Sequence, residues 1–168
     1  MACKDNEKEM YISQIDSLIL KLDSLDYIAN NEEIQYSSSI QETVSATIES
    51  IKKNYKNDTI DFSLAENLDN YQEIGDALLV NSANLSKVKE VIPKIKDNLE
   101  KLRHDVKFGV NERSEYQTFV DEETEKVEDV KEVLTYYLNT KSEYESWYDS
   151  LHPIVHQFEQ SLQSNINE

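Results

Sequence analysis

The sequence predicts an all-α protein, an elongated antiparallel coiled-coil-like bundle three helices thick, built from two short and two long helices. Three observations carry this. The 168 residues hold only two glycines and two prolines, where average usage gives about a dozen and about eight; a many-stranded sheet needs tight turns about every 8–12 residues. From Tyr116 onward the apolar residues step by four and three through Val120, Val127, Val130, Leu134, Tyr137, Tyr144, Tyr148, Leu151, Val155, Phe158 and Leu162. Only Glu123 and Lys141 interrupt that heptad, whose 14 positions a 38% hydrophobic composition would fill about five times by chance. Similar periodicity runs through the upstream segments.

The first helix is expected at about residues 6–29, on the stripe Tyr11, Ile15, Leu18, Leu22, Leu25 and Ala29. After a polar break, Ile40, Val44, Ile48, Ile51 and Tyr55 predict a second short helix at about 39–55. The third, at about 64–108, rests on Leu85, Val88, Ile92, Ile95, Leu99, Leu102 and Val106. Leu64, Leu68, Tyr71 and Leu78 extend it backward with a phase slip near Ser82 to Leu85. The fourth covers about 115–163, and a flanking stripe of Phe119, Val133, Trp147 and Ile154 is expected to widen its buried face so that it meets two neighbours within its own chain. A monomer then suffices.

Capping boxes are expected at Ser39 with Glu42, Ser63 with Glu66 and Ser114 with Gln117, where a serine oxygen accepts an orphan amide and the later side chain reaches back. Gly109 is expected to end the third helix in the left-handed conformation. Pro93 and Pro153 fall inside the periodicity and should kink their helices without ending them. Residues 1–5 read as a tether and 6–165 as one helical bundle domain.

Seventeen Lys and Arg against 34 Asp and Glu leave a net charge of −17, a field that repels polyphosphate chains and anionic lipid. The two arginines, Arg103 and Arg113, make no basic patch. Nucleic acid is therefore not an expected partner. No apolar run approaches the roughly 18 residues of a membrane span. Cys3 is the single cysteine, which excludes intrachain disulfides and thiolate metal clusters.

Ala2 and Cys3, followed by the charged stretch Lys4, Asp5, Glu7 and Glu9, resemble the start of a mature bacterial lipoprotein, in which a signal peptide ends in a small residue and the next cysteine carries lipid. The lysine and acids resemble the export tag of surface lipoproteins in Gram-negative bacteria. The resemblance implies lipidation at Cys3, a start methionine added after removal of a signal, and an outer-membrane anchor with possible surface exposure. Lipid would be the sole membrane contact. Asp58-Thr59-Ile60 likewise resembles an O-glycosylation signal of such exported proteins.

Candidate chemistry is sparse. Glu145, Asp149, His152 and His156 stack on one helical face at spacings of four, three and four, and Asp149 with His152 resembles half of the acid-x-x-His pair of carboxylate-bridged metal bundles. That motif must occur twice, and His104 has Lys101 where the second acid belongs, so no metal or other cofactor is expected. No serine elbow, phosphate loop, calcium loop or His-Glu-x-x-His run occurs in the sequence, and no catalytic residue is assigned.

The resulting expectation is a non-enzymatic envelope lipoprotein that acts as a structural or protein-interaction module. Its alternatives are a metal- or small-ligand-binding bundle around His152 and His156, and a cytosolic coiled-coil adaptor without lipid. An up-down-up path puts the start of the first helix beside the Gly109 turn and the loop from Asn54 to Phe62 beside the C-terminus. Lys56, Asn57 and Asp58 in that loop, with outward-projecting Tyr136, are the expected interaction residues.

Overall fold

The computed structural model describes residues 6–32, 35–57, 59–110 and 112–164. It contains four helices, α1 (Asn6–Asn31), α2 (Gln35–Asn54), α3 (Phe62–Phe108) and α4 (Arg113–Ser164), and no strand among the described residues. The chain is all-α, as the punctuation count and heptads predict. Both prolines sit inside their helices, which run on past them.

The ends of the helices follow local chemistry. Glu7 and Glu9 place negative charge in the first turn of α1, and Lys52 and Lys53 place positive charge in the last turn of α2, each complementing the helix dipole. Gly109 has φ 68°, and its N–H and that of Val110 both donate to the Asp105 carbonyl at 2.8 and 3.0 Å, which closes α3 with the expected left-handed glycine.

The three predicted capping boxes do not form. Asp61 caps α3 instead, its Oδ1 accepting the N–H groups of Ser63 at 2.9 Å and Leu64 at 3.2 Å, because a carboxylate two residues ahead of Ser63 already satisfies the orphan donors. Ser39 lies inside α2 and turns its Oγ back to the Tyr36 carbonyl. That helix begins earlier than predicted because its buried face continues upstream through Ser37, a small polar residue that apolar periodicity overlooks. Ser114 is likewise inside α4, and the Gln117 amide donates forward to Asp121.

The helical segments form two compact units, one of Met1–Glu32 with Asn84–Thr135 and the other of Glu33–Ala83 with Tyr136–Glu168. In the first, Asp16 pairs with Arg103 and Asp23 with Lys96, so α1 runs antiparallel to α3. Tyr11 against Tyr116 and Lys21 against Glu128 make α1 parallel to α4. Exposed pairs of this kind each contribute about 0–1 kcal/mol and serve mainly to fix register. Stability comes from the closed seam beneath them, with Ile15, Leu22, Leu85, Leu99 and Val127 fully buried.

In the second unit Lys52 reaches Gln72 from α2 to antiparallel α3, while Ser37 to Glu145 and Ser50 to Gln163 run α2 parallel to α4. Its core joins Ile40, Val44, Ile48 and Ile51 to Tyr71, Ile74, Leu78 and Val155. Tyr144, Tyr148 and Leu151, core positions by register, are partly buried against it. A Cβ built on Gly75 would lie 2.9 Å from Val44 Cγ1. Glycine is what lets α2 approach α3 this closely.

Two sequence expectations are corrected here. There is no phase slip in α3: Tyr71, Ile74, Leu78, Asn81, Leu85, Val88 and Ile92 are buried in unbroken steps of three and four, and the slip was apparent because Asn81 is polar. Of the expected flanking stripe Phe119, Val133, Trp147 and Ile154, Phe119 is half-buried and the other three are exposed. These residues flank the seam rather than widen it. Contacts to two neighbours come from the heptad face itself.

Candidate functional site

The chemistry-bearing residues cluster in the second unit. α4 sets Tyr144, Tyr148, His152 and His156 one turn apart, and antiparallel α3 lays Tyr71 against that row. The Tyr148 and His152 rings stack at 4.7 Å and 20°, His152 and His156 at 5.4 Å and 16°, and Tyr71 and His152 at 5.9 Å and 21°. The Tyr71 hydroxyl and His152 Nδ1 share a 2.6 Å hydrogen bond. Burial pushes the fully buried Tyr71 hydroxyl far above the usual phenol range, with Tyr148 beside it adding to the shift. Burial also lowers the His152 pKa, helped by His156 and opposed by Glu159.

These bonds show where the candidate metal ligands go. His156 Nδ1 meets Glu159 Oε2 at 3.2 Å and its Nε2 meets the Gln160 amide at 3.0 Å. Glu145 accepts from Ser37 on α2, and Asp149 is exposed. The four share a helical face as predicted, yet Glu145, His152 and His156 each bond a different neighbour, and among the described residues no group of three His, Cys, Asp or Glu converges as a metal site.

The expected interaction residues occupy two surfaces. Lys56 and Asn57 are exposed on the α2–α3 loop, while Asp58 lies outside the described residues. Around them the Tyr55 hydroxyl donates to the Thr59 carbonyl at 2.5 Å, Lys56 Nζ donates to the Lys53 carbonyl at 2.8 Å, and the Tyr55 ring packs 6.0 Å from Phe158. Sequence reading passed over the two apolar side chains at the end of this loop. Phe62 is 82% exposed and Ile60 41%. Their signal was an aromatic and an aliphatic residue adjoining a polar turn, outside the buried stripe.

Tyr136, 60% exposed, lies elsewhere, on the rim of a groove of about 510 Å³ between α3 and α4. One wall carries Asp69, Glu73 and Asp76, the other Tyr136, Thr140 and Tyr144. The Tyr144 hydroxyl donates to Glu73 Oε1 at 3.0 Å. Burial, then this bond to a carboxylate, raises the Tyr144 pKa. At the floor Asn81 is 2% exposed; its amide donates to the Tyr137 carbonyl, and its Oδ1 accepts no hydrogen bond.

No family model, curated protein or solved structure matches this chain.

In the first unit Glu7, Lys8 and Tyr11 share a small cavity with Gly109, Arg113 and Tyr116. The start of α1 thus lies beside the Gly109 turn, and in the second unit the contacts of Tyr55 with Phe158 and Ser50 with Gln163 put the α2–α3 loop beside the end of α4. Cys3, the expected lipidation site, is outside the described residues, as are Lys4 and Asp5. Among the described residues no helix is long and apolar enough to cross a membrane.

Proposed function

We propose that the chain is a non-enzymatic helical module of the bacterial envelope, anchored by lipid at Cys3, whose α2–α3 loop docks a protein partner. The observation that carries this reading is Phe62, a large aromatic side chain 82% exposed at the first residue of α3, where the α2–α3 loop ends. Tyr55 ties the loop to the Thr59 carbonyl, and the Asp61 cap fixes the backbone at Phe62. An aromatic side chain on such a scaffold loses little freedom on binding, which is how aromatic anchors come to dominate interfaces. With a net charge of −17 around it, the partner has an apolar pocket bordered by basic side chains.

Support for the envelope comes from Ala2, Cys3 and the charged residues after them. The metal-binding alternative has no such support, because both nitrogens of His156 and Nδ1 of His152 are already hydrogen-bonded.

The test uses cells making the chain from its native gene. Cys3→Ser should move the protein from the membrane fraction to the soluble fraction. A photo-crosslinker at Phe62 should give one discrete protein adduct, abolished by Ile60→Asp, and a crosslinker at Glu125 should give none. Equal crosslinking at the two positions would refute the docking loop, and a wild-type protein already soluble would refute the anchor.

A further inference from the structure

The α3–α4 groove of the second unit is independent of the docking loop and has a chemistry of its own. Asp69, Glu73 and Asp76 stand at i, i+4 and i+7 on α3, one carboxylate about every 5–6 Å along a single face. Tyr136, Thr140 and Tyr144 repeat along the opposing wall at i, i+4 and i+8. Between them lie Ala77 and Val80, and no Lys or Arg lines the groove. Lys52 donates to the Gln72 side-chain carbonyl and not to a carboxylate.

The carboxylates of this groove and the buried amide oxygen at its floor keep unmet acceptor capacity. Tyr144 occupies Glu73 Oε1, leaving the second oxygen of that carboxylate to accept elsewhere. Asn81 lines the floor, almost wholly buried, and its Oδ1 accepts nothing. A buried acceptor without a donor costs free energy that a bound N–H group restores. The exposed Tyr136 ring and the partly buried Tyr144 ring offer faces that attract ammonium groups.

Carboxylates strung along one helix face do not converge on a point, which disfavours a compact ion such as Mg²⁺. They match a cation whose charges are strung out as well. We propose that this groove binds a linear aliphatic polyamine, an unbranched chain of ammonium groups separated by three or four methylenes. Successive ammoniums pair with Asp69, Glu73 and Asp76, the methylenes lie against Ala77, Val80 and the tyrosine rings, and an ammonium N–H donates to Asn81 Oδ1. The volume of about 510 Å³ is within the range of small-ligand sites.

The test is calorimetric titration of the full chain with spermidine at about 150 mM salt, where diffuse surface attraction is screened beyond about 8 Å. One molecule should bind per chain, with n-butylamine and Mg²⁺ each at least about tenfold weaker, since each loses charge-assisted bonds. Glu73→Gln and Asp76→Asn, both exposed positions, should each weaken spermidine about tenfold by the same reasoning. Glu125→Gln and Asp129→Asn, equal charge changes on exposed positions of the other unit, should leave it unchanged. Asn81→Leu should weaken binding without loss of helix. Absence of saturable binding, or equal weakening by groove and control substitutions, would overturn the proposal. Saturable hexalysine binding in the absence of spermidine binding would overturn it too, assigning the groove to a basic protein segment.

Discussion

Asn81 and Tyr137 meet in the interior of the second unit, where the asparagine amide donates to the tyrosine main-chain carbonyl at 2.9 Å. Asn81 holds a heptad position between Leu78 and Leu85, both fully buried. A polar residue at one such position lowers stability while favouring one register of the helices, because slipping by a turn strands it against apolar side chains. The Tyr137 carbonyl is inside α4 and keeps its helical hydrogen bond without Asn81. Replacing Asn81 by Leu therefore removes a buried acceptor that has no donor and leaves none in its place. Asn81→Leu should stabilise the chain by about 1 kcal/mol in urea unfolding. Asn81→Asp, which puts a charge at the same buried position, should destabilise it by about 2–3 kcal/mol.

The same residue explains which parts of the fold were legible. The heptad of α4 was readable from Tyr116 to Leu162 because its seam is almost wholly apolar. Its interruption at Glu123 is buried as the register requires, with Lys126 on one carboxylate oxygen and nothing on the other. In α3 the identical pattern was obscured, since periodicity read from apolar residues alone steps over a buried asparagine. Ser37 hid the start of α2 in the same way. Polar residues in a seam take their position from a partner on another helix, which a single sequence does not display.

Gly75 gives a second test, of how closely α2 and α3 approach. In an open helix Gly→Ala gains about 1 kcal/mol of helix propensity. Here the added methyl meets Val44 Cγ1 at 2.9 Å, inside ordinary contact distance, and overpacking costs about 1–3 kcal/mol. The steric term wins. Gly75→Ala should be destabilising by about 1 kcal/mol in thermal or urea unfolding, the difference between those two effects. Combined with Val44→Ala it should be better tolerated than the two single changes sum to, by about 1 kcal/mol of coupling. Strict additivity would show that the two helices do not touch there.

The candidate site was only half legible. The row Tyr144, Tyr148, His152 and His156 is a matter of spacing on one helix, and its shared face was readable. Its closure was not, because Tyr71 lies 81 residues from His152 in the chain. Without that partner an imidazole beside two carboxylates reads as a metal ligand; with it, the imidazole is one ring in a stack. The groove escaped for a related reason. Asp69, Glu73 and Asp76 look like a solvated face until Tyr136 and Tyr144 are laid opposite.

The stack makes stability depend on pH through His152. Burial holds its native pKa below the ordinary 6.5, with the neighbouring His156 adding to the effect. As pH falls through about 6.5 the unfolded chain takes up a proton at this position before the folded chain does. The stabilisation is therefore complete above the unfolded value, declines as pH drops below it, and levels off once the folded imidazole is itself protonated. Tyr71 on α3 supplies no countercharge, since its hydroxyl stays neutral across this range. Glu159 on α4 pulls the other way and limits the shift. Wild-type protein should lose melting temperature between about pH 7.5 and 5.5, a window above the ordinary carboxylate range. His152→Gln should start less stable at the upper pH, having lost the ring contacts with Tyr148 and Tyr71, and should lose less on acidification. Parallel pH profiles for the two proteins, measured by circular dichroism melts, would show that His152 is solvated and that the stack does not hold it neutral.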